Sequence, residues 1–368
     1  METPFIPMAA PVIGRNELEY VTEAVRSGWI SSQGSYVTRF EELFSAYCGV
    51  RHGVAVTSGT TALHLALATI GVGPGDQVMV PTITHISVAN AVTLTGAELI
   101  LLDCDPYTWT IDPAELRKKI TPQTKAIIVV HLYGHPADMD AIMELAAKCG
   151  AYVIEDAAEA HGAEYKGRRA GSLGHLGCFS FYANKIITTG EGGMIVTDDG
   201  SLAAKARKLR DQAYETERRF WHRELGFNYR LTNVQAAIGV AQMERIDEFV
   251  ETRRRNAHLY NELLADTRGL GLPPQAEWAR NVYWMYSLLV GDGFGMTRDE
   301  LIASLRSQGV DSRPFFCAIH QQPLYQRQFE RDQYPVAERL AQQGINLPSG
   351  NELSVVQVRR IANAIRRG

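Results

Sequence analysis

The sequence predicts an α/β fold whose central sheet is mostly parallel and covered by helices. Three observations predict it. Between about residues 50 and 200, short apolar runs alternate with helical patterns, the signature of a parallel sheet with helices on both faces. The helical patterns over 60–70 and 138–149 stop at Gly71 and Gly150, residues that suit a helix C-terminus. Polar residues follow directly on two of the apolar runs, where ligands gather in open α/β sheets, beyond the carboxyl ends of the strands. At 368 residues the chain exceeds what one core usually supports, so two domains are expected. They are a large α/β domain over 1–240 and a smaller C-terminal α+β domain over 241–368.

Residues 15–27 read as an amphipathic helix, with Leu18, Val21, Ala24 and Val25 near helical spacing and Gly28 at its stop. The polar loop Trp29-Ile30-Ser31-Ser32-Gln33-Gly34 follows. Strands are expected at 53–57, 77–80, 98–102, 126–131, 151–154, 177–181 and 193–197. Residues 205–223, rich in charge and aromatics, read as a helix plus a mobile connection. The pattern over 233–264 reads as one long helix bridging the two domains, and the run Arg253-Arg254-Arg255 on it as a solvated helix face. Beyond it, Val282 to Val290 is strand-like, and Thr297 with Glu300 signals a capping box for a helix through Ser307. Val355 to Arg367 reads as a closing helix.

Composition narrows the function. The net charge of −4 argues against broad nucleic-acid binding, which needs a basic excess. No apolar run is long enough to span a bilayer, and Met1 to Pro7 lack the charged start and apolar core of a signal peptide. Cys48, Cys104, Cys149, Cys178 and Cys317 are odd in number and form no C-x-x-C pair, which points to a reducing, cytoplasmic setting. Gly71-Val72-Gly73-Pro74-Gly75 follows a helix and lacks the dinucleotide spacing. His131 and His135 lie in a turn-like segment and are too few to hold a metal.

Three stretches carry chemistry. In Ser180-Phe181-Tyr182-Ala183-Asn184-Lys185, followed by the turn Gly190-Glu191-Gly192-Gly193, one lysine sits on a short hairpin. A desolvated lysine gives up its proton more readily and attacks carbonyls, although a lone loop lysine is ordinarily a solvated charge. At the end of the apolar run Val153-Ile154 stand Glu155 and Asp156. Asp156 can cap a helix or hold a pyridinium nitrogen protonated, as enzymes that use pyridoxal 5'-phosphate (PLP) require. In Ser58-Gly59-Thr60, a strand runs into a helix start. Its free N–H groups suit a phosphate, and Ser58 or Thr60 acting as a plain cap is the open alternative.

Strand–SGT–helix, strand–ED and SFxxxK with a GEGG turn, in this order, resemble the DegT/DnrJ/EryC1/StrS family of sugar aminotransferases, a branch of the fold-type I PLP-dependent enzymes. The resemblance covers essentially the whole chain. It includes Ser27-Gly28-Trp29-Ile30-Ser31, Pro81-Thr82 with His85, Phe227-Asn228-Tyr229-Arg230 and Arg313-Pro314-Phe315-Phe316. It implies PLP as cofactor, with Lys185 as the catalytic lysine that carries it, Asp156 at the ring nitrogen and Glu159 near the ring 3-oxygen. It further implies Ser58, Gly59, Thr60 and Ser180 around the phosphate, joined by Asn228 of a neighbouring subunit, and His85 stacked on the ring. On the substrate side it implies Trp29, Arg313, Phe316 and His320. The activity implied is transfer of an amino group from L-glutamate to a 4-keto nucleotide sugar, in a homodimer with shared active sites. A sugar dehydratase of this family has histidine in place of the lysine, so Lys185 speaks against that reading. The intact lysine, aspartate and phosphate loop speak against a non-catalytic regulatory member. The nucleotide base, and amination at C3 or C4, stay open.

Overall fold

The computed structural model describes residues 4–367 apart from Thr216 and Arg219. Met1 to Thr3 of the N-terminal stretch, and two positions of the 205–223 segment, thus lie outside the described residues. Seven strands form the main sheet: β1 (His52–Val56), β2 (Gln77–Pro81), β3 (Glu98–Leu102), β4 (Thr124–Val130), β5 (Tyr152–Asp156), β6 (Leu176–Ser180) and β7 (Gly193–Thr197). Their order is β1-β7-β6-β5-β4-β2-β3. Neighbours from β6 across to β3 run parallel, and β7 is antiparallel to both β1 and β6. The carboxyl ends of β1, β2, β4, β5 and β6 therefore meet the start of β7 along one edge.

The strands are near-continuous apolar runs because helices cover both faces. Val54, Val56, Ile127, Val129, Val153 and Ile154 have no exposed surface. The helix Gly59–Thr69 buries seven of its eleven residues all round its circumference, as an interior helix must. The helices Arg15–Arg26 and Ser35–Cys48 pack on Asn233–Met243.

A second, antiparallel sheet contains β8 (Leu270–Gly271), β9 (Tyr286–Val290), β10 (Arg313–Pro314) and β11 (Gly344–Leu347), in the order β8-β9-β11-β10. The Thr297–Glu300 capping box starts the helix Arg298–Ser307, and Val355–Arg366 closes the chain. Among the described residues no helix is long and apolar enough to cross a membrane.

Two expectations need correction. The pattern over 233–264 is not one helix but two, Asn233–Met243 and Ile246–Leu264. Arg245, at φ −123° and ψ 6°, leaves the helical region, and its guanidinium turns to Glu248 and over the Phe249 ring. No glycine or proline marks this break. The run Arg253-Arg254-Arg255 is not a solvated face either. Val250, Arg253, Ala257, Tyr260 and Leu264 recur every three or four residues and are all buried, and only Arg255 of the run is exposed.

Candidate active site

A cavity of about 450 Å³ opens at the edge where the strand ends meet. β1 delivers Ser58, whose hydroxyl accepts the Thr61 N–H at 3.1 Å and caps the helix that begins at Gly59. The N–H groups at this helix start, with the positive end of the helix dipole behind them, border the cavity. A side chain at Gly59 would put its Cβ 2.8 Å from Ser180 Cβ, and one at Gly193 would put it 2.3 Å from Ser58 O. The three motifs at 58–60, 180 and 191–193 thus pack closely, the Gly193 backbone on that of Ser58 and the Gly59 backbone on the Ser180 side chain, and only glycine allows that approach.

β5 places Asp156 in the wall, 6 % exposed, with its carboxylate accepting the Ala158 N–H at 3.1 Å. Burial pushes its pKa above the usual carboxylate range. Glu159 accepts the Tyr133 N–H at 2.8 Å, and burial pushes its carboxyl up as well. Lys185 lies on the loop between β6 and β7, with its side chain 11 % exposed. Its Nζ stands 3.8 Å from Glu159 Oε1 and 3.7 Å from the centre of the Trp284 ring. Burial moves its pKa below that of a solvated lysine, against the pull of Glu159 and Asp156. The loop is firmly tied. Phe181 N–H donates to Gly192 O at 2.8 Å, Thr189 N–H to Phe181 O at 3.0 Å, and Lys185 N–H to Tyr182 O at 2.9 Å.

His85, after β2, presents its ring to the cavity, with Nδ1 2.8 Å from Ser87 Oγ and its edge toward Phe316 at 5.7 Å. Burial holds its pKa below the usual imidazole value. Phe316 stacks on Tyr133 at 5.4 Å, and Arg313, paired with Asp311 at 3.7 Å, completes that wall. Ser58, Gly59, Thr60, His85, Asp156, Glu159, Ser180, Lys185, Arg313 and Phe316 all line the one cavity.

Three of the expected residues lie outside its lining. Trp29 is 60 % exposed, and its carbonyl accepts from Asn233 Nδ2 at 2.6 Å. Asn228 sits in a bridge with Asp211. His320 is buried, with Nδ1 2.8 Å from Thr82 Oγ1 and Nε2 3.4 Å from Glu338.

The cavity also contains residues the sequence did not single out. Tyr133 adopts φ 53°, a left-handed conformation unusual for a bulky residue, and so turns its N–H to Glu159 and its ring to Phe316. Trp284 supplies the face beneath Lys185, and Asn184 and Asn346 add amides. The one sequence signal for Trp284 was the aromatic density of Tyr283-Trp284-Met285-Tyr286.

Chemically, the arrangement offers an anion seat at the helix start and a buried carboxylate to hold a proton on a ring nitrogen. It adds an aromatic wall and a desolvated amine within reach of a carbonyl carbon. That donor set fits PLP: Gly59 and Thr60 would hold its phosphate, Asp156 its ring nitrogen and Lys185 its aldehyde.

The sequence pattern of the DegT/DnrJ/EryC1/StrS aminotransferase family matches residues 11–366. Over 365 residues the chain is 48% identical to the GDP-perosamine synthase of Caulobacter vibrioides, covering 99% of this chain and 98% of that one. The GDP-perosamine synthase of Escherichia coli O157:H7 is 42% identical over 361 residues, covering 98% of each. The solved structure of DesV from S. venezuelae superposes with a TM-score of 0.92 at 36% identity, covering 99% of this chain and 98% of that one.

Proposed function

The chain belongs to the DegT/DnrJ/EryC1/StrS aminotransferase family, and from that premise we propose that it transfers the amino group of L-glutamate to C4 of GDP-4-keto-6-deoxymannose, giving GDP-perosamine. That the chain is a PLP-dependent sugar aminotransferase follows from the family and its members. The observation that carries the choice of sugar is the 48% identity, spread over 99% of the chain, to a GDP-perosamine synthase.

The lining of the cavity supports the following residue roles. Lys185 would hold the cofactor, and its freed amine would take the proton from the donor Cα as general base and give it back as general acid. Bound PLP supplies the electron sink for that transfer. Asp156 would hold a proton on the ring nitrogen, in a buried position where such a charge pairing is strong. Glu159 would stand near the ring 3-oxygen, and 3.8 Å from the Lys185 amine its charge favours the protonated form of that amine. Ser58, Gly59, Thr60 and Ser180 would seat the phosphate, and His85 would supply a face for the ring. Arg313 is the guanidinium that borders the cavity and suits a diphosphate, and Phe316 packs on the sugar side. We place Trp29, Asn228 and His320 at the edge of the site. Asn228 reaches the phosphate of the neighbouring subunit, which makes the working unit a homodimer. The five free thiols suit the reducing cytoplasm, and the product suits assembly of a surface polysaccharide such as O-antigen.

A panel of 4-keto and 3-keto sugars on GDP, dTDP and UDP, assayed with L-glutamate, tests the proposal. The expected result is turnover of GDP-4-keto-6-deoxymannose above every other member. Preference for a dTDP- or UDP-linked sugar would replace the substrate and leave the aminotransferase in place.

A further inference from the structure

Arg253 takes a positive charge into the interior, 2 % exposed, and every bond it makes there leads toward the loop that holds Lys185. Among the described residues its hydrogen bonds go to two neutral acceptors: Nη1 donates to Trp284 O and Nε to Asn351 Oδ1, each at 2.6 Å. The same two residues then grip the lysine loop. Trp284 Nε1–H donates to Asn184 O at 2.9 Å, and Asn351 Nδ2–H donates to Ile186 O at 2.8 Å. Asn184 and Ile186 are the immediate neighbours of Lys185. One guanidinium is therefore linked, through one residue on each side, to the carbonyls that flank the lysine. Ser349 Oγ–H, which donates to Trp284 O at 2.8 Å, steadies the Trp284 arm.

Such an arrangement costs stability. A buried cation bonded to neutral acceptors keeps much of its desolvation penalty, and an apolar side chain of similar length would avoid it. Burial accordingly pushes the Arg253 pKa down to about 10, with Glu352 pulling the other way. What an apolar chain cannot do is make two directed bonds from one rigid plane, the property that sets arginine apart from lysine. We propose that Arg253 is a positioning residue for Lys185: its planar fork locks the Trp284 and Asn351 clamps and so fixes the amine beside Glu159 and over the indole face. This rests on the reading of Lys185 as the catalytic lysine. The Arg253 charge also disfavours a proton on Lys185, in the same sense as burial and against Glu159 and Asp156.

The test compares Arg253→Met, Arg253→Lys and Asn351→Ala with the parent, with and without PLP. Amide hydrogen exchange is followed over 181–189, alongside the melting temperature, kcat and sugar KM. In Arg253→Met, exchange across 181–189 is expected to rise about tenfold or more while the strands of the main sheet stay protected. A fall in kcat on the order of 10–100-fold, with sugar KM little changed, is expected from a misplaced amine. Arg253→Lys keeps the charge but loses the fork and is expected to resemble Arg253→Met. Asn351→Ala should free the Ile186 side alone, and the double variant Arg253→Met with Asn351→Ala should exceed Arg253→Met by little, because both act on one linkage. Full kcat in Arg253→Lys, or unchanged exchange over 181–189, would overturn the proposal. Should Arg253→Met not fold, unchanged exchange in Asn351→Ala overturns it equally. Exchange needs no substrate, so this outcome is separate from whether the assigned sugar is correct.

Discussion

The Lys185 amine lies 3.7 Å from the centre of the Trp284 ring, 99 positions further along the chain. Two influences compete at that amine. The ring face and Glu159 favour its protonated form. Desolvation, joined by the charge of Arg253, disfavours it and is the larger effect. The amine therefore sheds its proton more readily than a surface lysine and stays within reach of a carboxylate that can take it.

Lys185→Ala should fold, bind PLP only noncovalently and lose on the order of 10²–10⁴-fold or more in turnover, since both attachment and proton transfer go with the amine. Borohydride treatment followed by mass spectrometry checks this. A cofactor still fixed to the variant chain would move the catalytic role to another lysine.

Asp156→Asn keeps the shape of the wall but removes its charge. Turnover is expected to drop on the order of 10²–10³-fold while PLP remains bound, as when one preorganised electrostatic contact is lost. Single-turnover kinetics with L-glutamate alone reads this step without the sugar. Near-normal rates would mean that a different group meets the ring nitrogen.

Much of this site was legible because its key pieces are local. Ser58-Gly59-Thr60, Asp156 and Lys185 each follow directly on an apolar strand, and parallel topology brings such ends to one edge whatever the loops do. Trp284 was hidden because its importance exists only after the second sheet packs its indole under the lysine loop. Tyr133 was hidden in a backbone angle, φ 53°, that the residue type does not advertise. Arg253 was misread for a different reason. Its place in the Val250–Ala257–Tyr260 stripe was visible as helical spacing, but three consecutive arginines suggested solvent. The break at Glu244 and Arg245 had no glycine or proline to mark it.

Stability should depend on pH through buried histidines. His161 lies among Phe44, Phe179 and Phe181, with neither ring nitrogen hydrogen-bonded among the described residues, and burial pushes its pKa down to about 3. Its ordinary value is 6.5, so between 6.5 and about 3 the unfolded chain binds a proton that the folded chain refuses. Its contribution is thus fully present above 6.5 and falls by about 1.4 kcal/mol per pH unit below it. His135, pushed down to about 4, acts in the same direction. His161→Leu should change stability by no more than about 1 kcal/mol at pH 7.5, because among the described residues its ring nitrogens make no well-formed hydrogen bond that would be lost. Between pH 7.5 and 5 it should lose about 2 kcal/mol less than the parent. Urea unfolding at the two pH values measures both. An unchanged pH slope would show that His161 titrates normally in the folded chain.

The proposal that two chains share each site can be tested by mixing. Asn228 lies beside Asp211, outside the lining of the cavity of its own chain, although it occupies the polar turn that enters the helix Asn233–Met243. If it serves the phosphate of a neighbouring subunit, Lys185→Ala and Asn228→Asp chains are each weak alone, the first for want of the amine and the second because a carboxylate repels a phosphate. In a mixed dimer, one site then holds both lesions and the other holds neither. Equimolar mixing with free subunit exchange makes half the dimers mixed, each with one intact site of two. Recovery of about a quarter of parental activity is therefore expected. Native mass spectrometry verifies that mixed dimers form before activity is read. Verified mixed dimers without recovery would return Asn228 to its own chain's site or remove it from the site altogether. Recovery without detectable dimers would point to a larger assembly exchanging in pairs, and the quarter would then be counted per pair.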